Sequence, residues 1–174
     1  NTPAVSFFPR DDFLAVDRKM VSENKIFHSR SPNSIVDYLI DKIEKKLSKL
    51  PCNSHPILGD VTDSDDLNRI VKEAFSVNGT IDILVNNAGI LLMKGVEDTT
   101  SEEWDHLQNS NSKGVFLGSK AVISAMRESG GGSIVNISSI AGLIGSRFSA
   151  YGGSKGLVRT LTKSIAVNHG HENI

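Results

Sequence analysis

The stretch that most constrains this chain is a short apolar run that leaves through two hydroxyls, with a tyrosine and a lysine following on the next element. Gly132-Ser-Ile-Val-Asn-Ile-Ser-Ser-Ile-Ala-Gly142 begins behind two further glycines and carries the β-branched residues Ile134, Val135 and Ile137. That composition predicts a buried strand ending at Ser138 and Ser139. Tyr151-Gly-Gly-Ser-Lys155 then opens an amphipathic helix in which the tyrosine and the lysine are four residues apart. Side chains at that spacing share one helix face and reach one reacting centre.

A phenol near neutral pH is a poor acid and a poor base, but a neighbouring ammonium stabilises the phenolate and makes proton transfer accessible. Lys155 is placed to supply that ammonium to Tyr151. A serine hydroxyl at the strand end, Ser139, suits donation of a hydrogen bond to a carbonyl or alcohol oxygen. Hydride has to come from a cofactor, because no side chain supplies it.

Four more signals accompany this pair. In chain order they are Gly59-Asp-Val-Thr-Asp63, the run at 81–85 that reads as a central parallel strand, Asn86-Asn-Ala-Gly89 at its end, and Asn111 ahead of Ser-Lys-Gly-Val-Phe116. With the serine strand and the Tyr-Lys pair, the sequence from about Pro56 onward resembles the short-chain dehydrogenase/reductase family, Rossmann-fold oxidoreductases that bind NAD(P). The resemblance implies an α/β fold with a doubly wound parallel sheet in three layers, α/β/α. It assigns Tyr151 as general acid/base, Lys155 as its activator and a ribose contact, Ser139 as the residue that orients the substrate oxygen, and Asn111 as part of a proton relay. Asp60, Val61, Asn86, Ala88 and Gly89, with Tyr151 and Lys155, are implied cofactor contacts. It also implies a homodimer or homotetramer formed through the helices that carry Asn111 and Tyr151. The substrate would be a small-molecule alcohol or carbonyl compound, and the cofactor NADP(H) or NAD(H). Arg30, near the end of a second strand read at 25–28, favours NADP(H), since a basic residue there suits a 2′-phosphate.

Two departures from the family pattern stand in the sequence. Among fifteen glycines there is no Gly-x-x-x-Gly-x-Gly or Gly-x-Gly-x-x-Gly, and the strand read at 5–8 exits through Pro9-Arg-Asp-Asp12. A proline offers no backbone donor and two carboxylates repel phosphate. Residues 1–33 therefore read as an atypical segment in place of the usual first strand and glycine turn. Ser139 precedes Tyr151 by twelve positions where thirteen is usual, so Ser138 stays as the alternative. The expectation is a single, partial domain over residues 1–174, incomplete at both ends. The alternative function is a non-catalytic or truncated relative that does not hold cofactor productively.

The remaining features bound the answer. Nineteen basic and twenty acidic residues leave a net charge of -1, which predicts no nucleic-acid footprint and no polybasic membrane patch. A lone cysteine, Cys52, excludes an internal disulfide and fits a reducing, cytoplasmic setting. No metal site is expected from the scattered histidines. Helices are read at 11–21, 36–50 and after Thr62 or Asp63, and a long one from Thr100 or Ser101 through Met126. Asn111 falls on the apolar stripe of that last helix, either as a satisfied core amide or as the relay residue. Gly152-Gly-Ser-Lys-Gly156 formally matches a serine-hydrolase elbow, but no apolar strand precedes it.

Overall fold

The computed structural model describes the backbone of residues 4–7, and residues 57 and 59–174. Strands β1 (Ala4–Phe7), β2 (Ile83–Asn86) and β3 (Ser133–Asn136) form a parallel sheet in the order β1-β2-β3. Phe7 pairs with Asn86 and Asn86 with Asn136, so the three strands deliver their carboxyl ends to the same side. The first strand, expected at 5–8, thus lies one residue earlier. The helices expected at 11–21 and 36–50, the strand expected at 25–28 and Arg30 lie outside the described residues. Ile57 and Gly59 are in no strand.

Helix α1 (Ser64–Asn78) is started by Asp63, whose carboxylate accepts from the backbone N–H groups of Asp65 and Asp66. Acidic Asp65 and Asp66 complement the helix dipole, and Gly79 ends it at φ 74, a left-handed conformation that glycine adopts without steric penalty. The long helix expected beyond Thr100 is present in three pieces. These are α2 (Ser101–Gln108), a π turn (Asn109–Lys113) and α3 (Gly114–Glu128). Thr100 and Glu103 form a reciprocal capping box at the start of α2. Helix α4 (Ser149–His169) follows β3 and a 3-10 turn at Ile140–Gly142.

The main core lies between α1, α3 and β2, where Leu67, Ile70, Val71, Leu84, Val122 and Met126 are buried. A polar chain crosses the same face. Asn86 Nδ2 donates to Ser119 Oγ on α3 (3.1 Å) and to Asn136 Oδ1 on β3 (2.8 Å), and Asn136 Nδ2 donates to Thr162 Oγ1 on α4 (3.0 Å). Since Asn86 and Asn136 are register partners, α1, α3 and α4 all cover one face of the sheet. The opposite face carries no helix among the described residues, and there Val135 and Ile137 stay 43% and 40% exposed. The prediction of a buried strand is corrected accordingly: among the described residues, β3 is covered on one side only. Parallel strands linked by helical crossovers form a Rossmann-like, doubly wound α/β sheet, present in part.

Beyond α4, a 3-10 turn at Gly170–Glu172 folds back on the α3–β3 connection. Glu172 accepts from Arg127 Nη2 (2.8 Å) and lies 3.1 Å from His169 Nδ1, while the Gly132 N–H donates to the Asn173 carbonyl (2.9 Å). No helix among the described residues is long and apolar enough to cross a membrane.

Candidate active site

The first turns of α4 carry Tyr151 and Lys155 against the segment that leaves β3. Small residues allow that approach: a Cβ on Gly142 would lie 2.5 Å from the Lys155 carbonyl carbon, and one on Gly152 would lie 3.0 Å from the Ala141 carbonyl oxygen. Ser138 Oγ donates to the Lys155 carbonyl (2.8 Å), fastening the strand end to the helix. Ser139 Oγ accepts from the Ala141 N–H (3.2 Å) and caps the 3-10 turn.

Lys155 is 4% exposed. Its ammonium donates to the Ile137 carbonyl (2.8 Å) and stands 5.8 Å from the centroid of the Tyr151 ring. Burying an ammonium is strongly unfavourable without such partners, so the carbonyl fixes the cation beside the ring. Tyr151 itself is half-buried.

Asn111 is fully buried in the π turn. Its Oδ1 accepts from the Ile90 N–H (2.7 Å), and its Nδ2 donates to the Ile90 carbonyl (2.9 Å) and to Ser154 Oγ (3.1 Å). The side chain is thus the satisfied core amide of the first alternative. Ser154 Oγ donates in turn to the Tyr151 carbonyl (2.7 Å). Ser154 is fully buried within a helix and bonded in both directions, so it is no nucleophile elbow.

Gly89 joins these residues: a Cβ there would lie 3.2 Å from Asn111 Oδ1 and 3.4 Å from Lys155 Nζ. The structure therefore brings Gly89, Asn111, Tyr151 and Lys155 together. The other expected cofactor residues are placed differently. Asn86 is turned into the polar chain between the helices, and Ala88 is part of the core. Val61 is a core residue that abuts Gly114, where a Cβ would lie 3.0 Å from its Cγ2. Asp60 Oδ1 accepts from the Thr62 N–H and hydroxyl, both at 2.8 Å, and so closes its own turn.

A dinucleotide needs bare backbone to lie against and donors for its ribose, and Gly89, without a side chain and packed beside the Lys155 ammonium, fits the ribose half of such a ligand. β1 ends at Phe7 beside Asn86, and the sequence there continues Phe8-Pro9-Arg10-Asp11-Asp12, which supplies no glycine for the pyrophosphate half.

Several contributors were not read from the sequence. Gln108 Nε2 donates to the Ala150 carbonyl (3.2 Å), and Ser112 Oγ donates to Gln108 Oε1. The Ser149 N–H donates to the Lys94 carbonyl (3.2 Å), while Lys94 Nζ pairs with Glu103 at 2.6 Å. Hydrogen bonds from Lys94 and from the Thr100 backbone hold the Glu103 carboxyl below the usual carboxylate range. The available signal was six consecutive polar residues, Gln108-Asn109-Ser110-Asn111-Ser112-Lys113, interrupting an apolar helical stripe.

With this geometry in place, comparison with known proteins is decisive for the family. The short chain dehydrogenase family model matches residues 29–174, and the chain belongs to the short-chain dehydrogenase/reductase family. It is 47% identical over 116 residues to a cyclopentanol dehydrogenase from Comamonas sp., a match covering 66% of this chain and 46% of that enzyme. It is 48% identical over 99 residues to an NADP-dependent (R)-specific alcohol dehydrogenase from Lentilactobacillus kefiri, covering 56% of this chain and 38% of the relative. Among solved structures, a short-chain type dehydrogenase/reductase from Mycobacterium marinum superposes with a TM-score of 0.74 at 32% identity, covering 79% of this chain and 56% of that one. The chain spans less than half the length of these two curated relatives.

Proposed function

We propose that this chain carries the catalytic centre of an NAD(P)-dependent oxidoreductase that interconverts a secondary alcohol and its ketone. The carrying observation is the buried Lys155 ammonium, anchored on the Ile137 carbonyl and facing the Tyr151 ring. In the direction of reduction, Ser139 Oγ donates a hydrogen bond to the substrate oxygen and Tyr151 transfers its phenolic proton to that oxygen. Lys155 stabilises the phenolate that remains. The nicotinamide, when bound, supplies or accepts the hydride. Because the Asn111 amide is already engaged, its part in returning a proton to Tyr151 falls to its backbone in the π turn.

Alicyclic secondary alcohols are the substrate class best supported, since curated relatives include enzymes named for cyclopentanol, trans-4-hydroxycyclohexanecarboxylate and hydroxysteroids. Exposed Leu91, Met93, Leu143 and Ile144 on the two loops flanking the site suit such apolar rings. NADP(H) is the favoured cofactor, on Arg30 and on the NADP dependence of one relative. A cytoplasmic homo-oligomer joined through the faces of α2, α3 and α4 completes the reading; exposed Trp104, Phe116 and Leu157 on those helices support it. The absence of glycine after β1 favours a second reading, a relative that keeps the catalytic residues and does not bind cofactor productively.

Titration with NADPH and NADH, followed through the fluorescence of Trp104, the single tryptophan, separates the two. The expected result is saturable binding, oxidation of cyclohexanol, and a loss of about a hundredfold or more in cyclohexanone reduction on Tyr151→Phe at unchanged Tm. Failure of both cofactors to bind at millimolar concentration supports the second reading instead.

A further inference from the structure

Helix α4 bears the two proposed catalytic side chains, yet Phe148 at its N-cap makes no side-chain capping bond. Its first turn is held from outside. Two hydrogen-bonded chains run from the α2–π turn region to consecutive carbonyls of α4. One passes from Asn111 Nδ2 through Ser154 Oγ to the Tyr151 carbonyl. The other passes from Ser112 Oγ to Gln108 Oε1, and from Gln108 Nε2 to the Ala150 carbonyl. Ser112 and Ala150 are buried, so this second chain lies within the packed interface and not on an open surface. The Ala150 carbonyl can only accept, so it takes the NH2 end of the Gln108 amide, and the oxygen is left to accept from the Ser112 hydroxyl, which holds the other end. The packing beside it is close and small, with Trp104 3.8 Å from where a Cβ on Gly153 would lie.

We infer that Gln108, anchored by Ser112, is a positioning residue that fixes the first turn of α4 and thereby the place of the Tyr151 hydroxyl relative to substrate. The catalytic consequence rests on the oxidoreductase reading; the mechanical one does not. A polar side chain was not required to fill this position between helices, since leucine has nearly the same volume. What glutamine adds is a direction, one donor set on one carbonyl immediately before Tyr151.

The test compares Gln108→Leu, which removes both bonds, and Ser112→Ala, which removes only the anchoring donor, with the parent in the full chain. Hydrogen exchange is read at the amides of α4 and of α1, together with kcat and KM for cyclohexanone. Gln108→Leu is expected to speed exchange about tenfold at residues 152–155 and leave α1 unchanged. It is also expected to lower kcat about tenfold with cofactor KM unchanged, because small displacements of reacting groups act on the chemical step. Ser112→Ala should fall between Gln108→Leu and the parent in both readouts. Exchange at 152–155 within twofold of the parent in Gln108→Leu overturns the inference, as does a kcat unchanged while the parent turns over. If the parent has no activity, the oxidoreductase reading fails, and the exchange measurement still decides whether Gln108 fixes the turn.

Discussion

At the residue scale, the two adjacent serines that follow β3 have different duties, and hydrogen-bond direction separates them. Ser138 gives its proton to the Lys155 carbonyl, whereas Ser139 accepts from Ala141 and donates to none of the described residues. Only the second has a donor to offer a substrate oxygen. Ser139→Ala is therefore expected to lower ketone reduction by about a hundredfold at unchanged Tm, the size typical of losing one oxyanion donor. Ser138→Ala is expected to lower stability by about 1 kcal/mol, the worth of one intramolecular hydrogen bond, with a smaller kinetic effect. Thermal unfolding and steady-state kinetics on both variants check this, and the reverse pattern would move the substrate contact to Ser138. The residues at 143–147, between the serines and Tyr151, are exposed, and an exposed loop tolerates a one-residue shortening readily.

At the scale of elements, the site depends on how closely the 3-10 turn lies on α4. The Gly142 Cα faces the backbone of α4, and backbone cannot rotate away as a side chain can. Gly142→Ala is expected to destabilise by about 1–3 kcal/mol, the usual range for overpacking. Gly145→Ala, three residues on with nothing within 4 Å of its would-be Cβ, should stay within about 0.5 kcal/mol of the parent. Denaturant titration of the pair measures both. The periodicity of α1, its Asp63 cap and the Thr100 start of α2 were legible because they are local properties of a few residues. The π turn was not, since the polar run at 108–113 marks a break in the stripe without saying which backbone groups pair there. Burial of β3 was likewise overestimated: β-branched residues mark a strand, but which faces are covered depends on distant segments.

Across the whole molecule, the turn after α4 is tied to the end of α3 by an ionic clip that makes stability depend on pH. Arg127 first, and His169 second, hold the Glu172 carboxyl below the usual carboxylate range. A carboxyl whose folded pKa is lowered contributes stability above its unfolded value, and that contribution is lost as pH falls through the folded one. Glu172→Gln should accordingly lower Tm at neutral pH, with the two proteins converging as acid protonates the parent's carboxyl; calorimetry across that range tests it. Parallel differences at every pH would mean that packing, not charge, ties this end. The sequence by itself determined the chemistry-bearing residues and their order, because a tyrosine and a lysine one helical turn apart share a face wherever the helix lies. It also determined the α/β character, since apolar runs and amphipathic stretches alternate along the chain. Tertiary structure alone decided that Asn86 ties the helices through the sheet, that the Asn111 amide is already engaged, and that Gln108 reaches α4. Each of these is a hydrogen bond between residues tens of positions apart in the chain, and the partner of a buried polar group is chosen by the packing of whole elements.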